Sequence, residues 1–220
     1  MKKSQIFILL FLIVAIGAFF RLWQLDSIPP GLYPDEALNA NQGLEAWQTK
    51  DFKLFYPDNN GREGLYVNII ALFFAALGIS LFSFKLVGIL FGTLTIAGQF
   101  LFTKEVGRFL SLPSKAATGA ALLSSFFLAI SFWHINFSRI GFRAILLPFV
   151  LVFTSYFLLQ GLRTKRIRDF ATAGLFFGLG IHTYISFRLA VIPVGFLLGW
   201  WLLVAISERW GKKYVISAIK

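Results

Sequence analysis

Two adjacent carboxylates, Asp35 and Glu36, follow Pro34 in the one extended polar stretch of the chain. A carboxylate can take a proton from a hydroxyl nucleophile, and it can hold a divalent ion. Neighbours on a helix point about 100° apart, so the two are not expected to share one role. One can face a cavity while the other packs or caps. The plainer alternative is that both acids only favour the positive end of a helix. Two later segments carry cations and imidazoles: His134, Asn136, Ser138, Arg139 and Arg143, then His182, Thr183, Tyr184, Ser186 and Arg188. Taken singly, each reads as a snorkelling arginine or a core histidine. Together, three arginines and two histidines on the side of the acidic stretch point to an anionic headgroup, because a guanidinium fork matches phosphate. The expected chemistry is a proton-removing carboxylate beside cations that hold a phosphate at a membrane surface.

The elements that must position these groups are hydrophobic. Of 220 residues, 57% are hydrophobic and 14% charged, with 27 Phe and no Cys. A soluble domain carries roughly 25% charge, so a soluble single domain, a disordered chain, a disulfide scaffold and a Cys-based metal site are excluded. The net charge of +11 sits in short clusters between apolar runs. That pattern fits membrane topology better than nucleic-acid binding.

A helix crosses the hydrocarbon core with about 20 mostly apolar residues. Uncharged runs occupy 4–20, 64–84, 86–103, 116–138, 144–162, 170–187 and 189–207. The basic clusters are Lys2-Lys3, Lys104/Arg108/Lys115, Arg163/Lys165/Arg166/Arg168 and Arg209/Lys212/Lys213. If all are cytoplasmic, each interval between them crosses an even number of times. The interval 4–103 holds three runs, so one does not cross. The weakest is 64–84, interrupted by Asn68 and followed by Gly78, Ser80 and Ser83. It is expected to lie in, or dip into, the outer face. The expectation is an all-α polytopic membrane protein with about six transmembrane helices and both termini cytoplasmic. A single membrane domain would cover 1–220, with an external loop and juxtamembrane helices over 24–84. Arg21-Leu22-Trp23 stands where a signal peptide would need a small-x-small site, so the first run is read as an anchor.

Residues 24–64 hold seven of the ten acids. Pro29-Pro30-Gly31 breaks the chain, and Pro34-Asp35-Glu36 reads as a helix start running on through Trp47. Tyr56-Pro57-Asp58-Asn59-Asn60-Gly61 is a turn signal. Gly88-x3-Gly92 and Gly174-x3-Gly178 have the small-residue spacing of packed helices. The sequence has no glycine-rich phosphate loop and no His-x3-His pair.

Several strings stand out along the chain: Arg21-Leu22-Trp23, Pro30-Gly31-Leu32-Tyr33-Pro34-Asp35-Glu36-Ala37, Gly61-Arg62-Glu63-Gly64-Leu65-Tyr66 and Leu77-Gly78-Ile79-Ser80. Ser138-Arg139-x-Gly141-x-Arg143 and Tyr184-Ile185-Ser186-Phe187-Arg188 extend them. With these residues the chain resembles the GT-C class of membrane glycosyltransferases. More narrowly, it is similar to the protein O-mannosyltransferase and aminoarabinose transferase superfamily, of which it looks like an N-terminal part or a minimal form. The resemblance implies a polyprenyl-phosphate sugar as donor and a protein, lipid or glycan hydroxyl as acceptor. It implies an integral protein of a prokaryotic plasma membrane whose active site, framed by the first-loop helices, is external. Asp35 would be the general base of an inverting transfer, with Glu36 secondary. Arg139, Arg143 and Arg188 would stabilise the leaving phosphate, with His134, His182, Tyr184, Arg62 and Glu63 in the same donor site. No cofactor is required, and a divalent cation at the acids stays open. Relatives are generally longer, and many carry an acid in the second external loop, where this chain has Arg139 and Arg143. The readings from other classes are a lipid or solute transporter and a non-catalytic membrane subunit.

Overall fold

The computed structural model describes residues 2–58 and 61–218, with the backbone alone for residues 205 and 207–218. Asn59 and Asn60 of the turn signal lie outside the described residues, as do the side chains of Arg209, Lys212 and Lys213. Among the described residues the regular structure is helical apart from one short hairpin. It divides into two compact units, 1–185 and 186–220.

The first helix, α1 (Lys3–Leu22), is apolar from Ile6 to Phe20, carries the buried Arg21 in its last turn and stops at Trp23. Then α2 (Pro34–Thr49) begins with proline at its first turn and Asp35 and Glu36 beside it. Proline has no N–H to lose there, and the acids suit the positive helix end. The helix closes on Lys50 in the left-handed region, φ 60°. A two-residue hairpin follows, β1 (Phe55–Tyr56) antiparallel to β2 (Arg62–Glu63), with Phe55 opposite Glu63 and Tyr56 opposite Arg62. Next, α3 (Leu65–Leu77) ends at Gly78, whose φ of 82° favours glycine. Ser80 then caps α4 (Leu81–Phe109), its Oγ accepting from the Ser83 N–H at 3.1 Å.

The helices α5 (Ser114–Ala129) and α6 (Phe132–Arg139) meet at a 54° bend. A 3-10 turn, Arg143–Ile145, leads into α7 (Leu146–Thr164), and α8 (Ile167–Ile181) returns beside it. A second 3-10 turn, Ile185–Ala190, precedes α9 (Val191–Ala218). In that second unit Ile192, Phe196, Trp200 and Leu203 are exposed apolar side chains.

Four segments are long and apolar enough to cross a membrane: 3–22, 81–109, 143–164 and 185–204. Counting the bent α5–α6 pair as one span makes five. A sixth would have to be α8, but its 15 residues reach about 22 Å at 1.5 Å per residue, short of a core about 30 Å thick. The uncharged run 170–187 looks longer because its last residues turn into 3-10 geometry instead of extending the helix. The short apolar α3, at 13 residues, falls below spanning length too, as its sequence led one to expect. Exposed Phe7, Phe11, Phe127 and Leu175 are what a lipid-facing surface requires.

The basic clusters of the first unit gather at one end of its bundle. Glu105 near the end of α4 binds both Arg108 and Arg163, the latter from the end of α7. Gly107 lies against Ala117 of α5, and Ile6 of α1 lines a cavity with Lys115. At the opposite end Tyr66, Ile70, Phe74, Phe84, Val87, Ile145 and Leu146 form a buried cluster. Ala40, Leu44 and Trp47 of α2 pack on it, which fixes the face that α2 presents. Each large side chain so buried contributes about 1.5–3 kcal/mol.

The small-residue pairs divide. Gly88 and Gly92 let α6 approach: a Cβ at Gly92 would sit 2.1 Å from Ser138 Oγ. Among the described residues nothing lies within 4 Å of a Cβ built at Gly174 or Gly178, so no described helix packs on that pair.

Candidate functional site

A cavity of about 200 Å³ opens at the end of the bundle away from the basic clusters, lined by Asp35, Asn39, Arg62, Phe142, Arg143 and Tyr184. Asp35 and Asn39 stand one turn apart on α2, so they share a face. The hairpin brings Arg62 to that face. Arg62 donates through Nη1 to Asn39 Oδ1 at 2.8 Å and through Nη2 to Asp35 Oδ1 at 3.2 Å. Asn39 in turn donates to the Gly141 carbonyl at 3.0 Å, which ties α2 to the loop before Arg143. Arg62 is buried and Asp35 is about half exposed, so the carboxylate is held from one side and open on the other. Burial lowers the Arg62 pKa, and the nearby Arg143 charge adds to that shift.

Arg143 sits 5.3 Å over the Tyr184 ring and pairs with Glu63 at 3.4 Å. Tyr184 also packs edge-on against Phe142, with ring centroids 5.7 Å apart. The lining has two guanidiniums and one carboxylate, and Glu63 behind Arg143 supplies the second acid. Each guanidinium therefore has a paired carboxylate, and an anion here would be held by their N–H donors, not by surplus charge. Such a lining can accept an anion beside a carboxylate that faces solvent.

Glu36 points elsewhere. It is buried, 4.0 Å from Lys85 of α4, and its Oε1 has no hydrogen-bond partner among the described residues. Burial pushes its carboxyl up to about 7, against the pull of Lys85 and a backbone hydrogen bond at Tyr33. The adjacent acids thus have different surroundings: Asp35 lines the cavity and Glu36 packs behind it.

The structure separates the cations that the sequence grouped. Arg62, Arg143 and Tyr184 meet Asp35, with Glu63 behind Arg143. Arg139 does not line this cavity. Its Nη1 donates to the carbonyls of Phe20 and Arg21, and its Nη2 to those of Gln24 and Ile28. It caps the end of α1, where the last carbonyls have no helical partner. His134 is also elsewhere: its Nδ1 accepts from Arg21 Nη2 at 2.7 Å. Arg21 further donates to Ser138 Oγ and to the carbonyls of Gly17 and Ala129. His182 is exposed at the end of α8 and outside the lining. Arg188 belongs to the 3-10 turn at the start of the second unit. The reason for the split between Arg139 and Arg143 is Gly141, at φ 58°. It breaks the helical register that would have put residues four apart on one face.

Sequence reasoning did not single out Asn39, Phe142, Lys85 or the hub role of Arg21. Asn39 carried a usable signal, since it lies four residues after Asp35 on a predicted helix. Lys85 interrupts an otherwise apolar stretch, which marks a charge in need of a partner. Among the described residues no three His, Asp or Glu side chains gather as a metal site.

No family model, curated protein or solved structure matches the chain.

Proposed function

We propose that the chain is a membrane glycosyltransferase that moves a sugar from a polyprenyl-phosphate donor to an acceptor hydroxyl, with inversion. The observation that carries the reading is the half-exposed Asp35 carboxylate in one cavity with Arg62, Arg143 and Tyr184. The resemblance of the first loop to the GT-C class supplies the reaction type. Asp35 takes the proton of the acceptor hydroxyl as its oxygen attacks the anomeric carbon. The bond from that carbon to the phosphate oxygen breaks, and the electron pair leaves with the lipid phosphate. General-base assistance of this kind is worth about 10²–10⁴-fold. Arg143 stabilises the charge that develops on the phosphate, and Tyr184 holds its guanidinium plane. Arg62, itself held by Asn39, fixes the Asp35 carboxylate. The cavity is smaller than the ~300–1,000 Å³ of a pocket for a whole drug-sized ligand, so it suits the sugar-phosphate junction, with the prenyl chain in lipid. In this reading the cavity faces outward and the basic end inward, as the distribution of Lys and Arg requires.

The test is transfer from a radiolabelled polyprenyl-phosphate sugar pool in membranes holding wild type, Asp35→Asn or Arg143→Gln. Loss of transfer in both variants is expected. Full transfer by Asp35→Asn would remove the general base from the reading.

A further inference from the structure

The end of the bundle opposite Asp35 holds a second cavity, of about 260 Å³, between α1 and α5. Ile6, Ser114, Lys115 and Thr118 line it. We propose that this cavity binds the phosphate of an anionic membrane lipid.

Three observations converge on it. First, α5 starts here without a side-chain cap, since Pro113 occupies the cap position. The earliest helical bond is Ala117 N–H to the Pro113 carbonyl, so the N–H groups of Ser114, Lys115 and Ala116 precede the ladder. Such N–H groups and the helix dipole favour an anion. Second, Thr118 lines the same cavity although it is only 5% exposed. Its hydroxyl makes no hydrogen bond among the described residues and reaches the cavity surface. The helical threonines Thr95 and Thr172 instead satisfy theirs on the carbonyl four residues back. A hydroxyl left free on a cavity wall can donate to a ligand oxygen there. Third, Lys115 supplies the charge, and Lys3 lies one turn before Ile6 on α1.

The source is lipid because of what surrounds the cavity. α1 exposes Phe7 and Phe11, so an acyl chain can run along α1 while its phosphate sits among Ser114, Lys115 and Thr118. Basic pockets between membrane helices at the end rich in Lys and Arg hold anionic headgroups in this way. The cavity does not depend on the reading of Asp35, which can fail without it.

The experiment is native mass spectrometry of the purified full chain in neutral detergent, with phosphatidylglycerol or phosphatidylcholine added. Wild type is expected to retain phosphatidylglycerol in preference to phosphatidylcholine. Lys115→Gln should weaken that retention about fivefold, the worth of one basic residue at an anionic surface. Thr118→Val should weaken it further, and Thr118→Ser should restore it. Lys115 is exposed, so its replacement leaves the fold intact, which circular dichroism checks. Equal retention of the two lipids, or retention unchanged in Lys115→Gln and Thr118→Val, would overturn the proposal. Displacement of the lipid by millimolar inorganic phosphate would assign the site to a soluble phosphate and overturn the lipid source.

Discussion

Replacing Arg139 by Gln separates the two roles that an arginine in this segment can have. The guanidinium donates to four carbonyls, of Phe20, Arg21, Gln24 and Ile28. Gln reaches one or two of them at most. Phe20, Gln24 and Ile28 are exposed residues, whereas Arg21 is buried. The bonds to Phe20, Gln24 and Ile28 are part-buried and the one to Arg21 is buried, so at least the Arg21 carbonyl is orphaned while those outside the helix can turn to water. An orphaned buried acceptor costs about 1–3 kcal/mol, and a hydrogen bond surrendered to water about 0.5–1.5 kcal/mol. Non-additivity brings the expected loss to about 3 kcal/mol. For a chain of this size that is roughly a 6–12 °C fall in the unfolding midpoint. The assay is thermal unfolding in detergent, run beside Arg143→Gln and alongside transfer activity. Arg139→Gln should lower the midpoint and lose activity only as folded protein is lost. Arg143→Gln removes the cation facing the buried Glu63, so its midpoint falls too, but unlike Arg139→Gln it should lose transfer per folded molecule. An unchanged midpoint for Arg139→Gln, with transfer lost through a raised donor KM, would refute the capping role and return Arg139 to the phosphate.

Gly141→Ala forces a side chain into the left-handed region at φ 58°, and its Cβ would stand 2.2 Å from the Phe84 ring. With about 1–2 kcal/mol from the backbone alone, the midpoint should fall and transfer should drop as Arg143 shifts; intact transfer would show that the turn does not position it. Glu36 has a carboxyl raised to about 7, so the folded state favours its protonated form. Its contribution is full below pH ~4.5 and is lost as pH rises through about 7, amounting to about 3 kcal/mol. Wild type should lose stability between pH 5 and 8, and Glu36→Gln should flatten that decline; equal slopes would rule out Glu36 as its source.

Much of the helical framework is legible in the sequence because apolar runs and breaks are local signals. Pro34-Asp35-Glu36 marks the start of α2, and Gly78 marks the end of α3, each through the chemistry of a single turn. The length of α8 is not legible in that way. A run without charges looks continuous whether its last residues are helical or turn at Thr183 and Tyr184. The site is legible in part. The expectation that neighbouring acids serve different roles follows from helix geometry, and Asp35 and Glu36 do lie in different surroundings. The choice among cations was beyond a sequence argument. Arg139 and Arg143 look equivalent until the backbone at Gly141 sends one to the end of α1 and the other to the cavity. Burial decides His134 likewise, because its partner Arg21 lies 113 positions away in sequence.

The central claim is that the Asp35 carboxylate removes the proton of the attacking hydroxyl. The most direct measurement is sugar transfer from a radiolabelled polyprenyl-phosphate donor in membranes, comparing wild type with Asp35→Asn at matched folded protein. The account predicts transfer by wild type and a loss of about 10²–10⁴-fold in the variant, with donor binding retained. Transfer by Asp35→Asn at the wild-type rate would contradict it.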